Sequence, residues 1–151
     1  TRIKELNYNL YDAIILSYAG INSLGLSKNI SQIFSTSEII PSVGQGVVAL
    51  QCRNNDKDLI KLLKKVNHTN TRNCIKAERN VLKVLEGDCE TAVGAFASID
   101  GNLINLEAEL FSLDGNERFH LKLSREADKA NELGIEVGKT LKKVSNNSYK
   151  K

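Results

Sequence analysis

Tryptophan and methionine are absent from this 151-residue chain, and only 5% of its residues are aromatic. Base-stacking platforms for nucleic acid therefore have little to be built from. Charge of one sign is also scarce. The 21 Lys and Arg against 18 Asp and Glu leave a net charge of +3, which favours anions but falls short of a dedicated nucleic-acid surface. No apolar run approaches the roughly 20 residues that span a bilayer, and the chain does not open with the charged, apolar and small-residue order of a signal peptide. Cysteine is limited to Cys52, Cys74 and Cys89. An odd number at wide spacing suggests neither a disulfide framework nor a zinc knuckle, and reduced thiols fit best. His68 and His120 lack partner ligands at metal-binding spacing, so no metal site is expected. These absences leave a cytoplasmic globular protein that binds neither nucleic acid nor membrane. With 41% apolar and 26% charged residues the composition also argues against disorder. The chain lacks methionine and opens on Thr1-Arg2-Ile3-Lys4 with no capping pattern, so its natural start is expected upstream, making it a fragment.

Two short apolar runs mark the first half. Asp12-Ala13-Ile14-Ile15-Leu16-Ser17-Tyr18-Ala19, ended by Gly20, suits a strand buried on both faces and implies a parallel sheet. Val47-Val48-Ala49-Leu50-Gln51-Cys52 reads as a second strand. It follows the turn-prone Pro41-Ser42-Val43-Gly44-Gln45-Gly46 and precedes Asn54-Asn55-Asp56, whose side chains suit a helix N-cap. Short helices are expected over residues 20 to 35, and Leu59, Leu62, Leu63 and Val66 then recur at helical spacing. Two strands cannot make a sheet alone, so this half reads as incomplete. The polar stretch Asn67-His68-Thr69-Asn70 is the best candidate for a domain boundary.

The second half looks self-contained. Residues 71 to 86 place Cys74, Ala77, Val81, Leu82 and Leu85 on one helical face and Arg72, Lys76, Arg79 and Lys83 on another, which reads as solvated. Strand candidates at 92 to 99, 103 to 111 and 117 to 124 are separated by Asp100-Gly101 and Asp114-Gly115, both hairpin signals, so an antiparallel meander is predicted. Ala130, Leu133, Val137, Leu141 and Val144 give a closing helix, and the tail from Ser145 is expected to fray. A helix, three strands and a helix form an α+β unit.

Cys89 differs from the other thiols because it lies in a loop between Gly87 and the first strand of the meander. Cysteine is most often a small buried hydrophobe, a reading that suits Cys52 and Cys74. A loop thiol can instead be reached by a ligand. Asp88 and Glu90 would raise its pKa, so a thiol consumed once in a covalent attachment fits better than a standing thiolate nucleophile. Gly44-Gln45-Gly46 is either a tight turn or a place where backbone N–H groups and the Gln45 amide face a carboxylate.

Over about 120 residues the order and spacing of further motifs resemble the porphobilinogen deaminase family, whose members are also called hydroxymethylbilane synthases. The first half contributes Tyr11-Asp12-Ala13-Ile14-Ile15-Leu16, Ala19-Gly20-Ile21, Leu24-Gly25-Leu26, Pro41-Ser42-Val43-Gly44-Gln45-Gly46 and Cys52-Arg53. The second contributes Ala77-Glu78-Arg79, Leu85-Glu86-Gly87-Asp88-Cys89 and Val93-Gly94-Ala95. The resemblance implies α/β plus α+β architecture, with remnants of two doubly wound cleft domains followed by a small α+β domain. Residues 1–42 would end the second α/β domain, residues 43–70 would supply the return strand and helix of the first plus a linker, and residues 71–151 would form the C-terminal domain.

The resemblance also implies a transferase of haem and porphyrin biosynthesis, monomeric when complete, that condenses four porphobilinogen molecules head to tail into hydroxymethylbilane with release of ammonia. Its primer is a dipyrromethane cofactor held by a thioether, and Cys89 is the matching position. Arg2, Ala19, Gly20, Gln45 and Gly46 match positions that approach the cofactor or substrate. The family's catalytic aspartate has no counterpart here and is expected upstream, so the isolated fragment is expected to be inactive. Three residues depart from the pattern. Ser23 stands where a basic residue is common, Asp88 replaces a frequent glycine, and Ala92 a frequent proline. A non-catalytic α+β ligand- or protein-binding module with a structural Cys89 is the competing reading.

Overall fold

The computed structural model describes residues 2–88 and 90–150. The chain divides into two compact units, Thr1–Ser35 and Thr36–Lys151.

In the first unit, helix α1 covers Arg2–Asn7 and helix α2 covers Tyr18–Ser23, followed by a single 3-10 turn over Ser27–Asn29. Ile21 is the one buried residue among those described in this unit. The strand expected over residues 12 to 19 does not form. A strand needs a neighbour for its backbone N–H and C=O groups, and no strand lies beside this run among the described residues. Ile15 is left 72% exposed. Tyr18 and Ala19 turn helical instead because Ser17 caps α2, its hydroxyl accepting from the Gly20 N–H at 3.4 Å.

The second unit is built on a meander. Strands β1 (Val93–Asp100), β2 (Leu103–Phe111) and β3 (Arg118–Glu126) pair antiparallel in the order β1-β2-β3. Helices α4 (Thr69–Leu85) and α5 (Ala130–Val144) pack against it. Helix α3 (Lys57–Val66) precedes them, started by Asp56, whose carboxylate accepts from the Leu59 N–H at 3.0 Å. The expected helix, meander and helix of residues 71 to 144 are thus present, and they form an α+β arrangement. Residues 47 to 52 form no strand. Val48 is 87% exposed and Leu50 is exposed as well, and the outer edge of β1 is met by residues 41 to 42 instead of by this run.

Sequence period explains the core. Ala77, Val81 and Leu85 recur every four residues on α4, and Leu133, Val137 and Leu141 on α5. They close over Ala95 and Ala97 of β1 and the alternate residues Ile104, Leu106, Ala108 and Leu110 of β2. Each fully buried leucine contributes about 1.5–3 kcal/mol of transfer free energy. The helices approach so closely that a Cβ on Gly134 would lie 2.2 Å from the Ala77 carbonyl oxygen. Arg72, Lys76, Arg79 and Lys83 lie on the solvated face of α4 as the period predicts.

The tail does not fray over its described residues. Tyr149 is 3% exposed, and its hydroxyl donates to the Leu85 carbonyl at 2.9 Å, while the Leu113 N–H donates to the Ser148 carbonyl. An aromatic ring that finds an apolar seat and a partner for its hydroxyl outweighs the entropy of a free end.

Candidate functional site

The Gly44-Gln45-Gly46 turn is fixed from three sides within the second unit. On one side the chain joins the open edge of β1, where the Ala95 N–H donates to the Pro41 carbonyl at 3.0 Å and Ser42 bridges to Gly94. The Gln45 N–H closes the turn on the Ser42 carbonyl at 3.2 Å. Gly44 and Gly46 take φ of 77° and 74°, the left-handed region that a side chain would strain. Beneath the turn, Val43 packs on the core.

The third tether is Glu78 of α4, a carboxylate only 4% exposed. One of its oxygens accepts from the Gly44 N–H at 2.9 Å and the other from the Ala97 N–H of β1 at 2.9 Å. Burial pushes its pKa up, against the two N–H donors, which pull it down. Both oxygens are satisfied, as a buried carboxylate requires. Sequence reasoning passed over this residue except as part of a motif. The available signal was a charge at position 78, four residues after Cys74 and three before Val81, within the apolar row of the helix.

Gln45 and Gly46 are exposed above this support. With His68, Cys74, Glu78 and Phe96 they line a groove between the turn, α4 and β1. His68 caps α4, its Nδ1 accepting from the Thr71 N–H at 3.3 Å. The Cys74 thiol is half-buried, and burial, then the nearby Glu78 carboxylate, push its pKa up, so it is held as a thiol. Cys52 is also half-buried.

At the other end of α4 the chain enters the loop expected to carry the attachment thiol. Glu86 takes a left-handed conformation with φ of 56°, and its carboxylate accepts from Lys150 at 2.9 Å and Lys142 at 3.0 Å. These two ammonium groups, Lys150 foremost, hold its pKa down to about 2. Asp88 then organises the turn that follows. Its carboxylate accepts from the Glu90 N–H at 2.9 Å and the Thr91 hydroxyl at 3.3 Å, and its own N–H donates to Thr91 Oγ at 3.1 Å. The Glu90 N–H donor, the leading cause, lowers its pKa. The departure from glycine at 88 is therefore matched by an aspartate-centred turn. Cys89 itself lies outside the described residues.

The remaining sequence candidates belong to the first unit. Arg2 is the first residue of α1 and exposed; Ala19 and Gly20 are exposed in the first turn of α2, and Ser23 ends that helix. Among the described residues no helix is long and apolar enough to cross a membrane.

Comparisons with known proteins cover nearly all of these positions. Residues 1–61 match a family model described as porphobilinogen deaminase, dipyromethane cofactor binding domain, and residues 72–143 match one described as porphobilinogen deaminase, C-terminal domain. Curated relatives named porphobilinogen deaminase include one from Desulforamulus reducens, 38% identical over 93% of this chain and 46% of the relative. Others come from Staphylococcus epidermidis, 40% identical over 95% of this chain and 46% of the relative, and Blochmanniella floridana, 41% identical over 93% and 45%. The chain spans a little under half the length of these relatives.

Proposed function

Because the chain belongs to the porphobilinogen deaminase family, we propose that it supplies the cofactor-attachment half of a hydroxymethylbilane synthase. In this reading it acts as part of a monomeric cytoplasmic enzyme on porphobilinogen, and residues 1–42, 43–70 and 71–151 belong to the second α/β domain, the first α/β domain with linker, and the C-terminal domain. The apolar runs at 13 to 19 and 47 to 52 then take strand partners from sequence beyond this chain, and the catalytic aspartate lies there too.

The observation that carries the proposal is the match of two porphobilinogen deaminase models to successive stretches of the chain. Arg2, Ala19, Gly20, Gln45 and Gly46 all fall within the stretch matched by the cofactor-binding model, and Cys89 within the C-terminal one. The position suits an attachment thiol because its flanking residues Asp88 and Glu90 are exposed and Asp88 and Thr91 hold the turn around it. When bound, the dipyrromethane supplies the pyrrole carbon onto which substrate units are added.

Porphobilinogen carries an aminomethyl group, an acetate and a propionate. Loss of ammonia leaves an electrophilic methylene carbon. Cys89 sulfur adds to such a carbon as the thiol gives up its proton, so one S–C bond replaces one C–N bond and ammonia carries the proton away. Arg2 offers a guanidinium to substrate carboxylates. Gln45 offers an amide N–H, and Gly46 lets a ligand approach the backbone.

Intact mass of the full-length enzyme containing this chain tests the reading. The wild type is expected to carry an increment of two pyrrole units that the Cys89→Ala enzyme lacks, while Cys52→Ala and Cys74→Ala retain it. A folded wild type that stays unmodified after exposure to porphobilinogen removes Cys89 as the anchor and favours the binding-module reading.

A further inference from the structure

We infer that Glu78 is a positioning residue for substrate binding, holding Gln45 and Gly46 at the groove through its paired hydrogen bonds to the Gly44 and Ala97 N–H groups. The inference rests on the proposed role of Gln45 and Gly46 and extends it to a residue that touches no ligand.

Two backbone donors from separate segments converge on one side chain, each at 2.9 Å. A carboxylate is the only side-chain group that offers an acceptor at both ends of a fork; the amide of glutamine would turn a donor toward one of the two N–H groups. Turn shape alone does not call for this. Gly44 and Gly46 already adopt their left-handed conformations, and the Gln45 to Ser42 hydrogen bond already closes the turn. What the carboxylate adds is placement, because it ties the turn to α4 and β1 at once. Burying a charge to do so is costly unless every lone pair finds a donor. The exposed residues immediately beyond the tether are Gln45 and Gly46, both on the groove. Loss of one arm of the fork releases Gly44 and lets Gln45 swing away from its bound orientation, and that ordering must then be restored by the ligand itself.

Steady-state kinetics of the full-length enzyme, with Glu78→Gln, Gln45→Ala and the double variant, test this. Glu78→Gln is expected to raise KM for porphobilinogen roughly fivefold to tenfold, the size of one ordinary hydrogen bond lost, with kcat within about twofold and cofactor mass unchanged. The double variant is expected to be no worse than the poorer single variant, because both changes remove the same contact. A fall in thermal stability and active fraction with KM unchanged makes Glu78 merely structural and overturns the inference. Raised KM in Gln45→Ala beside unchanged KM in Glu78→Gln overturns the positioning role alone. Unchanged KM in Gln45→Ala removes Gln45 from the site and the inference with it, while the mass test of Cys89 stands independently. If Glu78→Gln does not fold, amide exchange in the wild type decides. Gly44 and Ala97 are expected to be protected together, and exchange of Gly44 at the rate of an open loop overturns the inference.

Discussion

The phenolic hydroxyl of Tyr149 donates to the Leu85 carbonyl at 2.9 Å, joining the end of the described chain to the last turn of α4, four residues before Cys89. Both residues are buried, so water cannot replace either partner. Tyr149→Phe keeps the packed ring and leaves the carbonyl unpaired. The expected cost is about 1–3 kcal/mol, read as a lower midpoint in urea with an unchanged slope. A midpoint equal to the wild type shows that the carbonyl finds another donor.

Glu86 carries a pH dependence of known sign. Its carboxyl is held at about 2 by Lys150 and Lys142, below the ordinary value of 4.5. A depressed carboxyl contributes stability above its unfolded pKa and loses it as pH falls toward the folded one. The window is therefore 4.5 down to about 2. Glu86→Gln is expected to flatten the fall of the unfolding midpoint across that window, with a smaller difference from wild type in high salt because the group is exposed. Glu78 has the opposite sign, since burial raises its pKa and favours the protonated form in the fold. Identical acid slopes for the wild type and Glu86→Gln refute the assignment.

Gly134 sets the spacing of α4 and α5. A methyl group there would meet the Ala77 carbonyl oxygen at 2.2 Å and Asn80 Cβ at 2.8 Å, the first of them rigid backbone. Gly134→Ala is expected to destabilise by about 1–3 kcal/mol through overpacking. The higher helix propensity of alanine, about 1 kcal/mol, works against that cost without cancelling it. A gain in thermal midpoint would show that the helices slide apart freely.

Where interactions are local in the chain, their signals were legible. Residues 71 to 144 carry their periods openly, because α4, α5 and the meander each show one face to a common core, and Asp100-Gly101 and Asp114-Gly115 mark the reversals. Asp56 announced the start of α3 in the same way. The runs at 12 to 19 and 47 to 52 form no strand in this chain, because an apolar run reports a preference for burial whereas a strand also needs a neighbouring backbone. Ser17 and the tail show the reverse, since one hydroxyl cap and one buried ring redirected segments whose composition suggested otherwise.

The candidate site divides along the same line. Sequence by itself determined the residue types that the proposed chemistry calls for: a thiol at Cys89, glycines that permit the 44–46 turn, and an amide at Gln45, all readable because each depends on a side chain and its immediate neighbours. Only the tertiary structure decided that Glu78, more than thirty residues along the chain from the turn, supports Gly44 and Ala97 together. It likewise decided that Lys142 and Lys150 converge on Glu86, three residues before Cys89. Hydrogen bonds and ion pairs act over a few ångströms of space and leave no mark on sequence separation, so contacts between distant segments emerge only when the core has brought those segments together.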